Sequence, residues 1–160
     1  MLFRNTQKGD VMFPEFLREN AHRSYRIRLQ QLLGIPCCAS DQDIHELIEY
    51  GFTPFMVISL CDLGVIAPLA HDQIVPLKTL RLRAARKQRL SVHESDRLFQ
   101  HIHITAMAEV IFGDETKARR WLSKPICRFA GRRPYEMLST SQGIREVEIV
   151  LIQLAEAYAF

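Results

Sequence analysis

Long apolar runs are missing: nothing in the chain approaches the roughly 18 to 20 uninterrupted apolar residues of a membrane-spanning helix. Met1 to Asp10 carries bases but is not followed by an apolar core or a small-residue cleavage site. A soluble, cytoplasmic protein is expected. Paired cysteines are missing too. Cys37, Cys38, Cys61 and Cys127 include no C-x-x-C spacing, and adjacent thiols suit neither chelation of one ion nor a bridge to each other. Reduced, buried thiols are expected, with no metal and no disulfide framework. The chain has no Gly-rich phosphate loop, no G-x-S-x-G elbow and no H-E-x-x-H helix. His101 and His103 lie two residues apart on an expected helix, so they face about 200° apart and cannot ligate one ion. No catalytic residue, cofactor or enzymatic activity is expected.

A strong overall charge is also absent, since the net value is only +3. The placement of charge carries more information. From Leu77 to Leu90 the chain has Lys78, Arg81, Arg83, Arg86, Lys87 and Arg89 with no acid, whereas residues 91 to 160 carry nine bases and nine acids. A chain of 160 residues with 48% apolar and 24% charged residues has the make-up of a folded protein with one ordinary core or two small ones.

Period and punctuation make the fold all-α. Phe13, Phe16, Leu17, Tyr25, Leu29, Leu32 and Leu33 recur at three- and four-residue spacing until Gly34 and Pro36. Ser40 and Asp41 cap a second helix that stops near Gly51, and Thr53-Pro54 opens a third that closes at Gly64. Pro68 to Val75 leaves room for two helical turns, and Pro76 takes the first position of a basic helix. Ser91 and Glu94 have capping-box spacing and start a long helix running to Gly113. Asp114 caps the next helix, Pro125 breaks it, a short helix covers Tyr135 to Leu138, and Thr140 begins the last one. A division near residue 90 is expected, with a helical DNA-binding region over 1 to 90 and a helical domain over 91 to 160.

On a helical wheel Leu77, Leu80 and Ala84 share one side of the basic helix, while Thr79, Arg83 and Arg86 point away with Lys78 beside them. Arg81 falls near the packed side. With the short helix ahead of it, the segment at about 68 to 88 has the layout of a helix-turn-helix, whose second helix enters the major groove of DNA. Lys78 and Thr79 become candidates for base contact, Arg83 for a guanine or a phosphate, and Arg86 and Lys87 for phosphates. Solvation of an exposed basic helix is the competing reading.

Beyond residue 88 the chain carries Arg89-Leu90-Ser91 with Glu94-Ser95-Asp96-Arg97-Leu98, then Phe112-Gly113-Asp114, Lys117-Ala118, Arg120-Trp121-Leu122 and Pro125. Gly131-Arg132-Arg133-Pro134, Leu138-Ser139-Thr140, Gly143 and Val147 follow in order. This set resembles the Xre/MbcA/ParS antitoxin family, and within it the Xre antitoxins that accompany Res toxins. The resemblance implies an antitoxin of a type II toxin-antitoxin system whose C-terminal domain binds a Res-type toxin that consumes NAD. It places Arg132 and Arg133 among candidate toxin contacts, and it makes the last helix, with Glu156, Tyr158 and Phe160, a candidate plug for the toxin active site. It also implies autoregulation through operator DNA and a hetero-oligomer with the toxin; because one recognition helix reads too few base pairs for useful specificity, a homodimer bearing two helix-turn-helix units on an inverted repeat is expected. The dimer interface is expected either along the helix after Ser91 or in the N-terminal helices. A helix-turn-helix regulator with no toxin partner, and an adaptor whose basic helix is only solvated surface, are the alternatives.

Overall fold

The computed structural model describes residues 19 to 158, which form nine α-helices and one short 3-10 turn. The helices are α1 (Glu19–Leu33), α2 (Asp41–Tyr50), α3 (Pro54–Asp62), α4 (His71–Ile74), α5 (Leu77–Ala85), α6 (Val92–Phe112), α7 (Glu115–Leu122), α8 (Pro134–Met137) and α9 (Ser141–Tyr158), with the 3-10 turn at Cys127–Phe129 between α7 and α8. Phe13, Phe16 and Leu17 lie outside the described residues.

Local chemistry sets most of these boundaries. The Ser40 hydroxyl accepts from the Asp43 amide at 3.1 Å, and the Asp43 carboxylate accepts from the Ser40 amide at 2.7 Å. Ser91 and Glu94 repeat that reciprocal cap at the start of α6, so two otherwise orphaned donors are satisfied at each helix start. Asp114 caps α7 by accepting from the Lys117 amide at 2.7 Å. α6 ends where Gly113 adopts φ +66°, a left-handed conformation that glycine reaches without a Cβ penalty. Two expectations change. α4 is a single turn rather than two, and Pro76 precedes α5 as its cap, with Leu77 as the first helical residue.

α6 is the central helix. It is buried almost continuously from Leu98 to Glu109 because α1, α2 and α4 pack against it as well as α7 and α9. Tyr25 and Leu29 of α1, Leu98, Ile102 and Met107 of α6 and Leu151 of α9 lose nearly all solvent contact, each burial being worth about 1.5 to 3 kcal/mol. Two buried polar clusters link the helices. The Tyr25 hydroxyl lies 2.6 Å from His103 Nδ1, whose Nε2 lies 2.8 Å from Glu148 Oε1, so one imidazole joins α1, α6 and α9. Arg28 of α1 forks onto Glu109 of α6 and reaches Glu115 of α7 at 3.0 Å. That hydrogen bond to Glu109 holds the guanidinium above its usual pKa despite partial burial.

The thiols depart from expectation. All four are free, but Cys37, Cys38 and Cys127 are exposed and Cys61 is half-buried. Cys37 and Cys38 follow Pro36 in a turn and Cys127 opens the 3-10 turn, so each sits where the chain reverses at the surface rather than on a buried helical face.

Candidate functional site

The first candidate surface is built by α4, the Val75-Pro76 connection and α5. Ile74 and Val75 are fully buried, and Leu80 anchors α5 from the other side of the turn. α5 also packs on α3. The residues left outward are Leu77, Lys78, Arg81, Leu82 and Ala85, which share one face at three- and four-residue spacing.

This face differs from the one read off the helical wheel. Lys78 is exposed as expected. Thr79 is half-buried, on the flank nearer the core. Arg83 is also half-buried and is bound to Glu94 of α6 at 2.9 Å, with a weaker contact to the Arg89 carbonyl at 3.4 Å. Arg81, assigned to the packed side, is exposed, while Leu77 is 41% accessible rather than part of the core. Leu77 stays accessible at the first turn of α5, so the packed side centres on Leu80, which turns Thr79 and Arg83 inward and Arg81 outward. Arg86 and Lys87 are both exposed beyond the last turn of α5. Lys87 holds φ +54°, a conformation that costs a non-glycine residue about 1 kcal/mol or more. Arg89 serves the fold instead: its guanidinium sits 4.1 Å from the Tyr50 ring centroid and donates to the Gly51 carbonyl at 2.9 Å.

The second candidate surface is formed by the segment before α8 and by the end of α9. Arg132 is exposed, and its carbonyl accepts from the Ile126 amide at 3.1 Å. Arg133 is half-buried and largely committed to α8: its amide donates to Glu136 at 2.7 Å and its guanidinium reaches the Tyr135 hydroxyl at 3.3 Å. Glu156 is exposed on the final turn of α9. Tyr158 is 61% accessible and sets its ring edge-on to Phe112, with centroids 6.2 Å apart. Phe112 also meets Trp121 at 5.8 Å, so Trp121 packs on the fold, partly buried against its core. Phe160 lies outside the described residues. α9 keeps its place because Gly143 lets it approach α8: a Cβ there would fall 1.9 Å from the Met137 carbonyl oxygen.

Among the described residues no group of three or more His, Cys, Asp or Glu side chains is arranged to hold a metal ion, and no helix is long and apolar enough to cross a membrane.

Residues 107 to 156, from the last six residues of α6 through nearly all of α9, match the antitoxin Xre/MbcA/ParS C-terminal toxin-binding domain. A helical chain with that domain falls in the class of antitoxins. It is 51% identical over 154 residues to antitoxin Xre of Pseudomonas putida, covering 96% of this chain and 97% of the relative. It is 32% identical over 105 residues to antitoxin Xre of Yersinia enterocolitica, covering 64% of this chain and 71% of the relative. The chain belongs to the Xre/MbcA/ParS antitoxin family.

Proposed function

We propose that this antitoxin binds a Res-type, NAD-consuming toxin through its C-terminal domain and occludes the toxin active site with the end of α9, while α4 and α5 bind operator DNA and repress transcription from its own operon. The matched toxin-binding domain carries this reading, because it ends at residue 156 on α9, where Glu156 and Tyr158 project into solvent. A carboxylate beside an aromatic suits a site made for a dinucleotide, with the charge meeting phosphate-binding cations and the ring filling apolar space. Arg132 supplies a second exposed contact, and Arg133 a weaker one given its internal partners. The DNA reading rests on the α4-turn-α5 arrangement and the outward cations Lys78 and Arg81, with Arg86 and Lys87 at the helix end placed for phosphates.

The division of labour follows the chain, with DNA binding assigned to residues 1 to 90 and toxin binding to residues 91 to 160, in a cytoplasmic complex. A homodimer on an inverted repeat is supported by exposed apolar side chains gathered before residue 90: Tyr50, Phe55, Leu63, Leu69, Leu77 and Leu82. The middle of α6 is consumed inside one chain, which favours the N-terminal helices for the dimer interface.

The test is coexpression of the toxin with the full chain or with a variant lacking residues 156 to 160, following growth and cellular NAD. Loss of protection by a truncated chain that keeps its helical circular dichroism and its operator affinity is the expected result. Full protection by that variant would remove the tail from the mechanism, and failure of the full chain to protect against a Res-type toxin would remove the Res assignment.

A further inference from the structure

A second site lies away from both candidate surfaces. The segment joining α3 to α4 and the facing parts of α6, α7 and α8 line a partly open cavity of about 160 Å³. Val65, Ile66, Leu122 and Leu138 give it apolar walls. The polar groups that reach it are His101, Thr105, Arg119, Ser123 and Tyr135, with no carboxylate in the lining.

Two of these groups are left unsatisfied. His101 is only 5% accessible, and its Nε2 has no hydrogen-bond partner; the Nε of Arg119 is likewise buried and unpartnered. Buried polar atoms without partners are rare, because each forfeits about 1 to 3 kcal/mol. The neighbours do not relieve them. Thr105 spends its hydroxyl proton on the His101 carbonyl at 2.9 Å. Tyr135 accepts from Arg133 at 3.3 Å, which leaves its own O–H free to donate. Arg119 meets Glu115 only through its Nη2, at 3.4 Å, and its Nη1 lies over Gly64, 3.4 Å from where a Cβ would stand. Burial keeps the His101 imidazole neutral at neutral pH, its pKa pushed down to about 4.

We propose that this cavity binds a small organic acid, a monocarboxylate with a short aliphatic body, whose carboxylate is held by Arg119 with His101 and Tyr135 as donors. The lining offers donors and one cation at one end and hydrocarbon at the other, which is the complement of such an anion. A volume of 160 Å³ has room for about five waters, or for an acid of about six non-hydrogen atoms. A neutral molecule of the same shape would leave the Arg119 charge without a counter-ion inside the site. Because one wall is the segment leading into α4 and the other combines His101 and Thr105 of α6 with Arg119, Leu122, Ser123, Tyr135 and Leu138 of the matched antitoxin domain, the ligand would touch both halves of the chain.

The experiment is a titration of the full chain with sodium butyrate, followed through the His101 ring signal in carbon-proton correlation spectra. Butyramide serves as the neutral probe of the same shape, and ionic strength is held constant. A saturable shift of the His101 signal with butyrate, at least tenfold weaker with butyramide, is expected. Arg119→Gln should weaken butyrate at least tenfold while leaving the spectrum of the fold intact, and Arg119→Lys, which keeps the charge, should fall between the two. No saturable shift, meaning a cavity that holds only water, overturns the proposal, as does equal binding of the acid and its amide. Unchanged butyrate affinity in a folded Arg119→Gln chain would also overturn it.

Discussion

Glu94 closes the N-terminal cap of α6 through the Ser91 amide and, with the same carboxylate, holds Arg83 of α5 at 2.9 Å. One side chain therefore fixes both the start of the central helix and the orientation of the basic helix. Glu94→Ala should lower stability by about 1 to 2 kcal/mol in urea unfolding, combining a lost cap with a lost, mostly shielded ion pair. A double-mutant cycle with Arg83→Ala should return a coupling of about 1 kcal/mol that shrinks as salt is raised. Zero coupling at low salt would show that the two residues act independently.

If α5 binds DNA as proposed, its outward face sets the ranking of contacts. Lys78→Ala and Arg81→Ala should each weaken operator binding by about 1 to 3 kcal/mol where the side chain meets a base edge. Arg83→Ala should act less on DNA and more on stability, since its guanidinium is engaged within the chain. Lys87→Gly has two readouts of opposite sign: it should stabilise the fold by about 1 kcal/mol by relieving φ +54°. It should also reduce the salt dependence of DNA binding by about one phosphate contact. Fluorescence anisotropy at several salt concentrations, with matched unfolding curves, separates these effects.

Gly143→Ala places a methyl group 1.9 Å from the Met137 carbonyl oxygen, and backbone cannot yield as a flexible side chain does. A loss of about 2 to 3 kcal/mol is expected from forced separation of α8 and α9. Toxin binding should weaken with it, because α9 would no longer be seated. Wild-type stability in this variant would mean that α9 can shift without consequence.

Stability should fall in mild acid through His101. Its pKa in the folded chain is about 4, against a usual value near 6.5, because burial disfavours the imidazolium. Between those values the unfolded chain binds a proton that the folded chain refuses, so stability drops as pH falls from about 6.5 to 4, by up to about 3 kcal/mol. Asp43 acts lower on the scale: its carboxyl is held below the usual value by the Ser40 hydrogen bonds, so its contribution is lost only below about pH 4. Unfolding curves from pH 7 to 4 should therefore be flatter for His101→Gln than for the parent chain, and parallel curves would exclude His101 as the source.

The helices were legible in the sequence because their ends are written in short-range chemistry: Ser40, Ser91 and Asp114 cap, while Gly51 and Gly113 stop. What a helix faces was less legible. Leu77 reads as core on a wheel but remains 41% accessible, because the orientation of the short helix α5 is pinned by Arg83 and Glu94, eleven residues apart. Cys37 and Cys38 read as buried from residue type, yet a proline-led turn carries them outward. The cavity at His101 had no sequence signal at all, since it is assembled from residues 64 to 138 by tertiary packing.

Tyr25, His103 and Glu148 tie the first described helix to the last through a single imidazole. A fragment beginning near residue 91 would lose the Tyr25 hydroxyl and the apolar cover that Leu29 lays over α6, leaving His103 half-bonded and a greasy flank open to water. Such a fragment should be sticky and short-lived even though it retains every residue of the matched domain. Gene truncation would then be a poor route to a toxin binder without the N-terminal helices. The two activities proposed for this chain would be inherited together because their helices share one interior.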